Sequence, residues 1–490
     1  METLDKDLRS IQEARNLIKK AKEAQAKLAV MTQGQIDAIV KAISDAGYNN
    51  REKLAKMASE ETGFGRWQDK IIKNSFAAKH VYDSIKNMKT VGILKEDKTN
   101  KVMEVAVPVG VVAGLIPSTN PTSTVIYKAL ISIKSGNSIV FSPHPNALKC
   151  IMETVRVVNE AAIAAGCPEG AISAISVPTL QGTDTLMKHK DVNLILATGG
   201  TAMVKAAYSS GTPAIGVGPG NGPAFIEKSA NIPLAVKRIL DSKTFDNGTI
   251  CASEQSIIVE KCSKEAVVAE LKKQGAYFLS TEEAEKLEKF ILRPNGSMNP
   301  QIVGKSVEDI AKLAKLNVPA GKRVLIAEET RVGETVPYSR EKLGPILAFY
   351  TEEDWESACE RCIEILKLEG AGHTMMIHSE RDEIVREFAL KKPVSRLLVN
   401  TPGALGGIGG TTALAPALTL GSGAVGGSST SDNISPINLI NIRRLAYGVR
   451  ELEDLMEPVP QSYTEGSTIN LADKEQLIDM IVKRILAEKC

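Results

Sequence analysis

From Pro121 the chain alternates short apolar runs with longer helical patterns, and this alternation restricts the folds open to it. The spacing predicts a helix over Ser123–Ser135, a strand at Ser138–Phe141, a helix over Pro145–Ala165 and a short strand near Ile172–Val177. A helix at Gly182–Lys188, a strand at Val192–Ala197, a helix at Thr201–Ser209 and a strand at Pro213–Val217 follow. Strands separated by helices imply βαβ units, hence a parallel sheet with right-handed crossovers. The alternation resumes at Ile257–Val259, Ala266–Gln274, Arg323–Ala327, Trp355–Leu368 and Thr374–His378, which predicts a second α/β domain. Ahead of all this, residues 5–90 read as charged helices. Val102–Val107 and Val111–Ile116 are β-rich, and the turn signal at Asp97–Asn100 makes the region near 90–107 an arm or hairpin.

Between the two alternating regions lies the stretch FDNGTICASEQ, residues 245–255. A helical pattern runs from Ile232 to Phe245, with Leu234, Val236, Ile239 and Leu240 on one face, and Asn247-Gly248 stops it. A strand pattern follows at Ser256–Glu260. Cys251 therefore falls in a crossing between elements, flanked by small residues. A lone cysteine is most often a buried structural thiol; the alternative is a reactive one, which gains weight from the polar turn Ser118–Pro121 and from glycine-rich crossings that suit a dinucleotide, and the loop lies near the domain join, where clefts form. Asn120, between Pro117 and Pro121, is held extended or in a turn. It reads either as an Asx-turn residue or as an amide donor aimed at a cleft.

The segment VNLILATGG, residues 192–200, runs from strand through Gly199 and Gly200 into a helix at Thr201. Glycines there admit a close backbone approach, and the helix start offers free N–H groups to a pyrophosphate. A plain tight turn reads equally well. A literal G-x-G-x-x-G at Gly421, Gly423 and Gly426 opens no helical pattern and is not a dinucleotide fingerprint.

Composition narrows the function classes. A net charge of +2 without a Lys/Arg block gives nucleic acid no footing. The apolar run Val105–Pro117 is short and broken by Pro108, Gly110 and Gly114, so no membrane span is expected. The charged start does not read as a signal peptide. Seven cysteines without framework spacing point to reduced thiols and a cytoplasmic protein. Cys359-x-x-Cys362 sits in a helical pattern with no second ligand pair, so no metal site is expected.

Several motifs, taken in order, resemble the aldehyde dehydrogenase superfamily, and within it the CoA-acylating branch that includes the dehydrogenase half of bifunctional aldehyde–alcohol dehydrogenases. They are IPSTNPTS (116–123), FSPHP (141–145), LILATGG (194–200), AIGVGPGNGP (214–223), SKTFDNGTICASEQ (242–255), EKLGP (341–345) and GHT (372–374). The resemblance covers about residues 10–450. It implies two Rossmann-like α/β domains with a β-arm for oligomerisation into a homodimer or homotetramer. Residues 1–230 would form the nicotinamide cofactor-binding domain, 231–430 the catalytic domain and 431–458 a return segment.

The resemblance also implies roles. Cys251 becomes the nucleophile, and Asn120 with the Cys251 N–H becomes the oxyanion donor pair. Thr119, Thr198, Gly199, Gly200, Thr201, Val217, Gly218 and Leu343 fall to the cofactor, Ser142, Pro143 and His144 to its adenosine end, and Glu341 to the nicotinamide ribose. Without the family, His144 reads as a surface-loop histidine and Glu341 as a solvated charge. Pro117, His373 and Ser422 are candidates for substrate or CoA; His373 reads equally as a satisfied strand-end histidine. The run 402–431, rich in Gly, Ser and Thr, reads as a linker or, by resemblance, as loops closing over the cleft.

Aligning VGPGNGP (217–223) on the hydrolytic branch's pattern puts Val217 where a water-activating glutamate would stand. An apolar side chain takes no proton from water, whereas a thiol of pKa near 8.5 already supplies some thiolate. The expected reaction is thus reversible, NAD-dependent (NADP the alternative) oxidation of a short aldehyde to its acyl-CoA. Acetaldehyde or propionaldehyde are favoured, with succinic semialdehyde and sulfoacetaldehyde open. A hydrolytic dehydrogenase and an inactive scaffold are the rivals. Glu254, in the CASEQ pattern shared with the acylating branch, is not read as a water base.

Beyond about Pro458 the resemblance ends. Residues 459–472 read as a linker, and 473–490 as an amphipathic helix with Asp473 as its cap. Its apolar stripe comprises Leu477, Ile478, Ile481, Val482, Ile485 and Leu486. Such a tail either docks on its own protein or resembles peptides that carry enzymes into bacterial microcompartments.

Overall fold

The computed structural model describes residues 5–456 and 471–487. Its strands are β1 (Gly92–Asp97), β2 (Val102–Pro108), β3 (Val111–Leu115), β4 (Ser138–Ser142), β5 (Ile172–Ala174), β6 (Leu194–Ala197) and β7 (Ala214–Gly216). After these come β8 (Gly222–Ile226), β9 (Glu254–Glu260), β10 (Ala276–Phe278), β11 (Val324–Glu328), β12 (Ile346–Glu352), β13 (Gly372–His378), β14 (Val394–Val399) and β15 (Ile440–Ala446).

A five-stranded sheet has the order β5–β4–β3–β6–β7, and every pair in it is parallel. The alternation of apolar runs and helices predicts the parallel pairing but not the order. β3 and β4 are buried throughout, as strands covered on both faces must be. The order reverses direction between β3 and β6, so their carboxyl ends splay into a crevice. The helix Pro121–Lys134, buried along its whole length, lies under that crevice. Its Lys128 amine donates to the carbonyls of Leu115 and Leu196, each at 2.7 Å. This ties together the two strand ends that flank the crevice.

A seven-stranded sheet has the order β10–β11–β12–β9–β8–β13–β14, again parallel at every pair. Because β8 already belongs here, the chain leaves the first sheet between residues 216 and 222, ahead of the border at 230 expected from sequence. Separate apolar clusters fill its two faces: one gathers Phe225, Ile258, Tyr350 and Phe388, the other Val236, Ile257, Val259 and Phe349.

Both large sheets belong to one compact unit, Met1–Leu94 with Val105–Arg443. Among the described residues, Lys95–Glu104 and those from Arg444 onward form a second. A three-stranded sheet has the order β1–β2–β15, and the turn joining its first two strands is closed by the Asn100 N–H on the Asp97 carboxylate at 2.9 Å. The expected linker 459–472 lies almost wholly outside the described residues. The terminal helix spans Leu471–Ala487 with Asp473 inside its first turn, so Asp473 is not the cap the sequence suggested. Leu477, Ile478, Ile481, Val482, Ile485 and Leu486 are all exposed on it. Among the described residues no helix is long and apolar enough to cross a membrane.

Candidate active site

The helix Ile232–Thr244 stops at a single tight turn, Phe245–Gly248, in which Asp246 and Asn247 both take left-handed backbone angles (φ 48° and 52°). Two adjacent non-glycine residues in that region each cost on the order of 1–3 kcal/mol and persist only when their surroundings hold them. Here they are held. The Asp246 carboxylate accepts from the Arg66 N–H at 2.7 Å, from Lys70 at 2.9 Å and from Thr249 Oγ1 at 2.8 Å. Lys73 donates to it as well. The Asp246 N–H is held by Asp69 at 2.9 Å, and the Asn247 amide donates to the Gly304 carbonyl at 2.9 Å. This turn throws the chain toward β9 and presents Cys251, half-buried, to a cavity. Gly220 packs against the same loop: a β-carbon on it would stand 1.9 Å from the Cys251 carbonyl oxygen.

Asn120 occupies the N-cap position of the helix Pro121–Lys134, yet its side chain makes no capping bond. Its Oδ1 accepts instead from Lys73 at 2.6 Å. Its NH2 group faces the Thr119 hydroxyl at 3.2 Å and the Thr249 carbonyl at 3.4 Å. Both contacts are long, so the amide protons are available to a better acceptor.

The cavity, about 770 Å³, is lined by Cys251, Asn120 and Pro117 together with Thr119, Ser142, Pro143 and His144. Thr198, Gly199, Gly200, Thr201, Val217, Gly218, Glu341 and Leu343 line it too. Residues 117–120 follow β3 and residues 198–201 follow β6, which places the cavity at the reversal of strand order, where α/β sheets take ligands. The helix Thr201–Tyr208 starts from Gly200 with no side-chain cap. A β-carbon on Gly200 would meet nothing within 4 Å, so a methyl group there would fill space open to a ligand. Uncapped N–H groups and an open glycine fit a pyrophosphate.

His373 and Ser422, candidates for substrate or CoA, lie outside this cavity's lining. His373 begins the buried strand β13 with Nδ1 3.0 Å from Thr374 Oγ1; burial, with Arg396 nearby, pushes its pKa down to about 3, so it stays neutral. Ser422 is turned into its own loop, donating to the Gly426 carbonyl at 3.3 Å. The Gly/Ser/Thr-rich run is ordered: the buried Arg396 holds its backbone through the carbonyls of Gly421 and Ser431 at 2.6 and 3.2 Å. No group of three or more His, Cys, Asp or Glu side chains among the described residues could hold a metal ion.

The aldehyde dehydrogenase family signature matches residues 7–346. The chain belongs to the aldehyde dehydrogenase family. It is similar to the crystal structure of a probable aldehyde dehydrogenase from Listeria monocytogenes, 77% identical, over 92% of this chain and 100% of that one with a TM-score of 0.92. It is 43% identical to the bifunctional aldehyde-alcohol dehydrogenase AdhE of Escherichia coli over 96% of this chain but 53% of that protein. The chain thus spans about half the length of such bifunctional relatives. An acetylating succinate-semialdehyde dehydrogenase of Clostridium kluyveri is 39% identical over 89% of this chain and 96% of its own length.

The electrostatics of this aldehyde dehydrogenase site bear on how a cysteine ester could be discharged. Burial, then Glu341, pushes the Cys251 thiol up to about 12, against a downward pull from Arg396 and Lys73. Burial and the neighbouring Glu369 raise Glu341 to about 8, and its Oε1 accepts from the Gly220 N–H at 2.9 Å. Near neutral pH the protonated form of Glu341 predominates. Glu254 points the other way, accepting from the Gly403 N–H at 2.8 Å, and burial raises it to about 7. Val217, an apolar side chain, is part of the cavity wall.

The sequence reading passed over Lys70, Lys73 and Asp246, because two lysines three apart in a charged helical region look like a solvated face. It also passed over Arg340 and Glu369, which pair at 3.1 Å in the cavity wall. The one available signal was Asp246, an acidic residue inside the turn that builds the cysteine loop.

Proposed function

We propose that this chain interconverts a short-chain aldehyde and its acyl-CoA through a thioester on Cys251. The observation that carries the reading is the convergence of Cys251, the Asn120 amide and the uncapped Gly199–Thr201 turn on one cavity in which position 217 carries an apolar side chain. The Cys251 thiol gives up its proton to solvent and the thiolate adds to the aldehyde carbon. The Asn120 amide and the Cys251 N–H receive the alkoxide that forms. A bound nicotinamide cofactor, NAD by preference, supplies the acceptor for the hydride lost from that carbon. A thioester then remains on Cys251; the CoA thiolate attacks its acyl carbon, and the carbon–sulfur bond to Cys251 breaks, releasing acyl-CoA and the Cys251 thiolate.

Thr198, Gly199, Gly200 and Thr201 would hold the pyrophosphate, Ser142, Pro143 and His144 the adenosine end, and Glu341 the nicotinamide ribose. Acetaldehyde and propionaldehyde suit an apolar pocket; succinic semialdehyde stays open, since a relative is named for it. A nicotinamide absorbance assay over an aldehyde panel, with and without CoA, tests the reading. Turnover that needs CoA supports it, and equal turnover without CoA refutes it. Asn120→Ala is expected to slow turnover by about two to three decades with its fold intact by circular dichroism, the usual loss for one oxyanion donor.

The strands of residues 92–108 would serve as an oligomerisation arm. The terminal helix, with its exposed apolar stripe, would bind a microcompartment shell or cargo protein. Deleting residues 460–490 should leave activity intact and abolish co-purification with shell; lost activity with unchanged partitioning would oppose this.

A further inference from the structure

The Lys73 ammonium has three protons, and each meets one oxygen: Asn120 Oδ1 at 2.6 Å, Thr249 Oγ1 at 2.9 Å and the Asp246 carboxylate. Lys73 and Asp246 are 2% and 0% exposed, so this contact is shielded from solvent and from screening. We propose that Lys73 is a positioning residue for catalysis, setting the orientation and the donor strength of the Asn120 amide. The proposal rests on the reading of Asn120 as oxyanion donor.

The orientation follows from donor chemistry. An ammonium accepts no hydrogen bond, so only the oxygen end of the amide can face Lys73, and the NH2 end is turned to the cavity side. Rotating the amide by half a turn would set NH2 against the ammonium and present a carbonyl oxygen to the developing alkoxide. The donor strength follows from charge. A cation on Oδ1 draws electron density through the amide and makes its N–H groups stronger donors, as linked hydrogen bonds polarise one another. Burial lowers the Lys73 pKa to about 8, with Asp246 opposing the fall, which leaves the ammonium form dominant at neutral pH.

The ion pair could instead serve the fold alone, and Lys70 separates the two roles. Lys70 also pairs with Asp246, at 2.9 Å, but its second partner is the Thr119 carbonyl at 3.2 Å. It makes no contact with the Asn120 side chain. When Lys73 is removed, Asp246 keeps Lys70, the Arg66 N–H and Thr249 Oγ1, so the cysteine turn retains its supports.

The test compares Lys73→Met, Lys70→Met, Asn120→Ala and the double variant Lys73→Met/Asn120→Ala by steady-state kinetics and thermal melting. Lys73→Met is expected to lower kcat by about tenfold to a hundredfold, part of the loss typical of a whole oxyanion donor, with aldehyde KM little changed. Lys70→Met, at a similar cost in Tm, should keep kcat within about threefold, and Lys73→Met should add less than about twofold in the Asn120→Ala background. Lys73→Gln, which keeps a donor and loses the charge, should fall between, and it carries the comparison if Lys73→Met does not fold. Equal kcat losses for the two lysine variants, or full multiplication in the double variant, would overturn the proposal. Unchanged turnover in Asn120→Ala would instead strike the oxyanion reading itself, and the proposal with it.

Discussion

Replacing Cys251 with alanine removes thioester formation and lowers aldehyde oxidation by about 10⁴-fold or more, the scale seen when a nucleophile acting within a unit is deleted. Nicotinamide cofactor binding, read by fluorescence quenching, should survive, because Thr198–Thr201 and Ser142–His144 come from other strand ends. Retained turnover in the variant would remove Cys251 from the chemistry. The pH behaviour of the wild-type sulfur follows from its surroundings. The thiolate, not the thiol, attacks iodoacetamide and displaces iodide, and the thiol is raised to about 12 by burial and Glu341. Below that value the thiolate fraction climbs about tenfold per pH unit. Alkylation of Cys251 should therefore accelerate throughout pH 7–9. The ionisation of Glu341, raised to about 8, adds a negative charge nearby and should shallow the rise above pH 8. A rate already level at pH 7 would mean a resting thiolate and would contradict this account.

Val217→Glu should confer turnover without CoA. The side chain faces the cavity, at the position where the sequence comparison places the hydrolytic branch's glutamate. A carboxylate there can take a proton from water attacking the thioester, and a positioned general base is worth about 10²–10⁴-fold. The expected product is free acid, formed about a hundredfold faster than by the unaltered chain in the absence of CoA. Dispensing with CoA without such a gain in acid would show that discharge is limited elsewhere. The new carboxylate is mostly buried, so its pKa will be raised and the gain should be larger at alkaline pH.

The sequence was most legible where periodicity and topology agree. The parallel sheet of residues 111–216 follows from its alternation of strands and helices, whereas the reversal between β3 and β6 shows only in the strand order of the folded chain. Strand β12 was passed over because ILAFYTE is apolar along most of its length and carries no alternation, which leaves a buried strand hard to separate from a helix segment. β8 was hidden inside a glycine- and proline-rich motif that reads as a turn. In the site, the residues named from sequence were those whose chemistry shows in their type, a cysteine in a loop or paired glycines before a helix. Lys73 was not among them. Its meaning depends on Asp246, more than 170 positions away, and on burial, and neither can be read from a lysine in a charged helix. His373 shows the other direction: its residue type suggests reactivity, whereas its place near the start of the buried strand β13 leaves it neutral and enclosed.

Gly220 sets a limit on how this enzyme can be altered. Loop exchanges between residues 217 and 223 are an obvious way to reshape the entrance for bulkier aldehydes. Every such graft inherits the requirement that one residue in it carry hydrogen alone, or the reactive sulfur is pushed off its mark. The address of the Cys251 sulfur is thus partly written thirty-one residues upstream, in a residue with no side chain to offer.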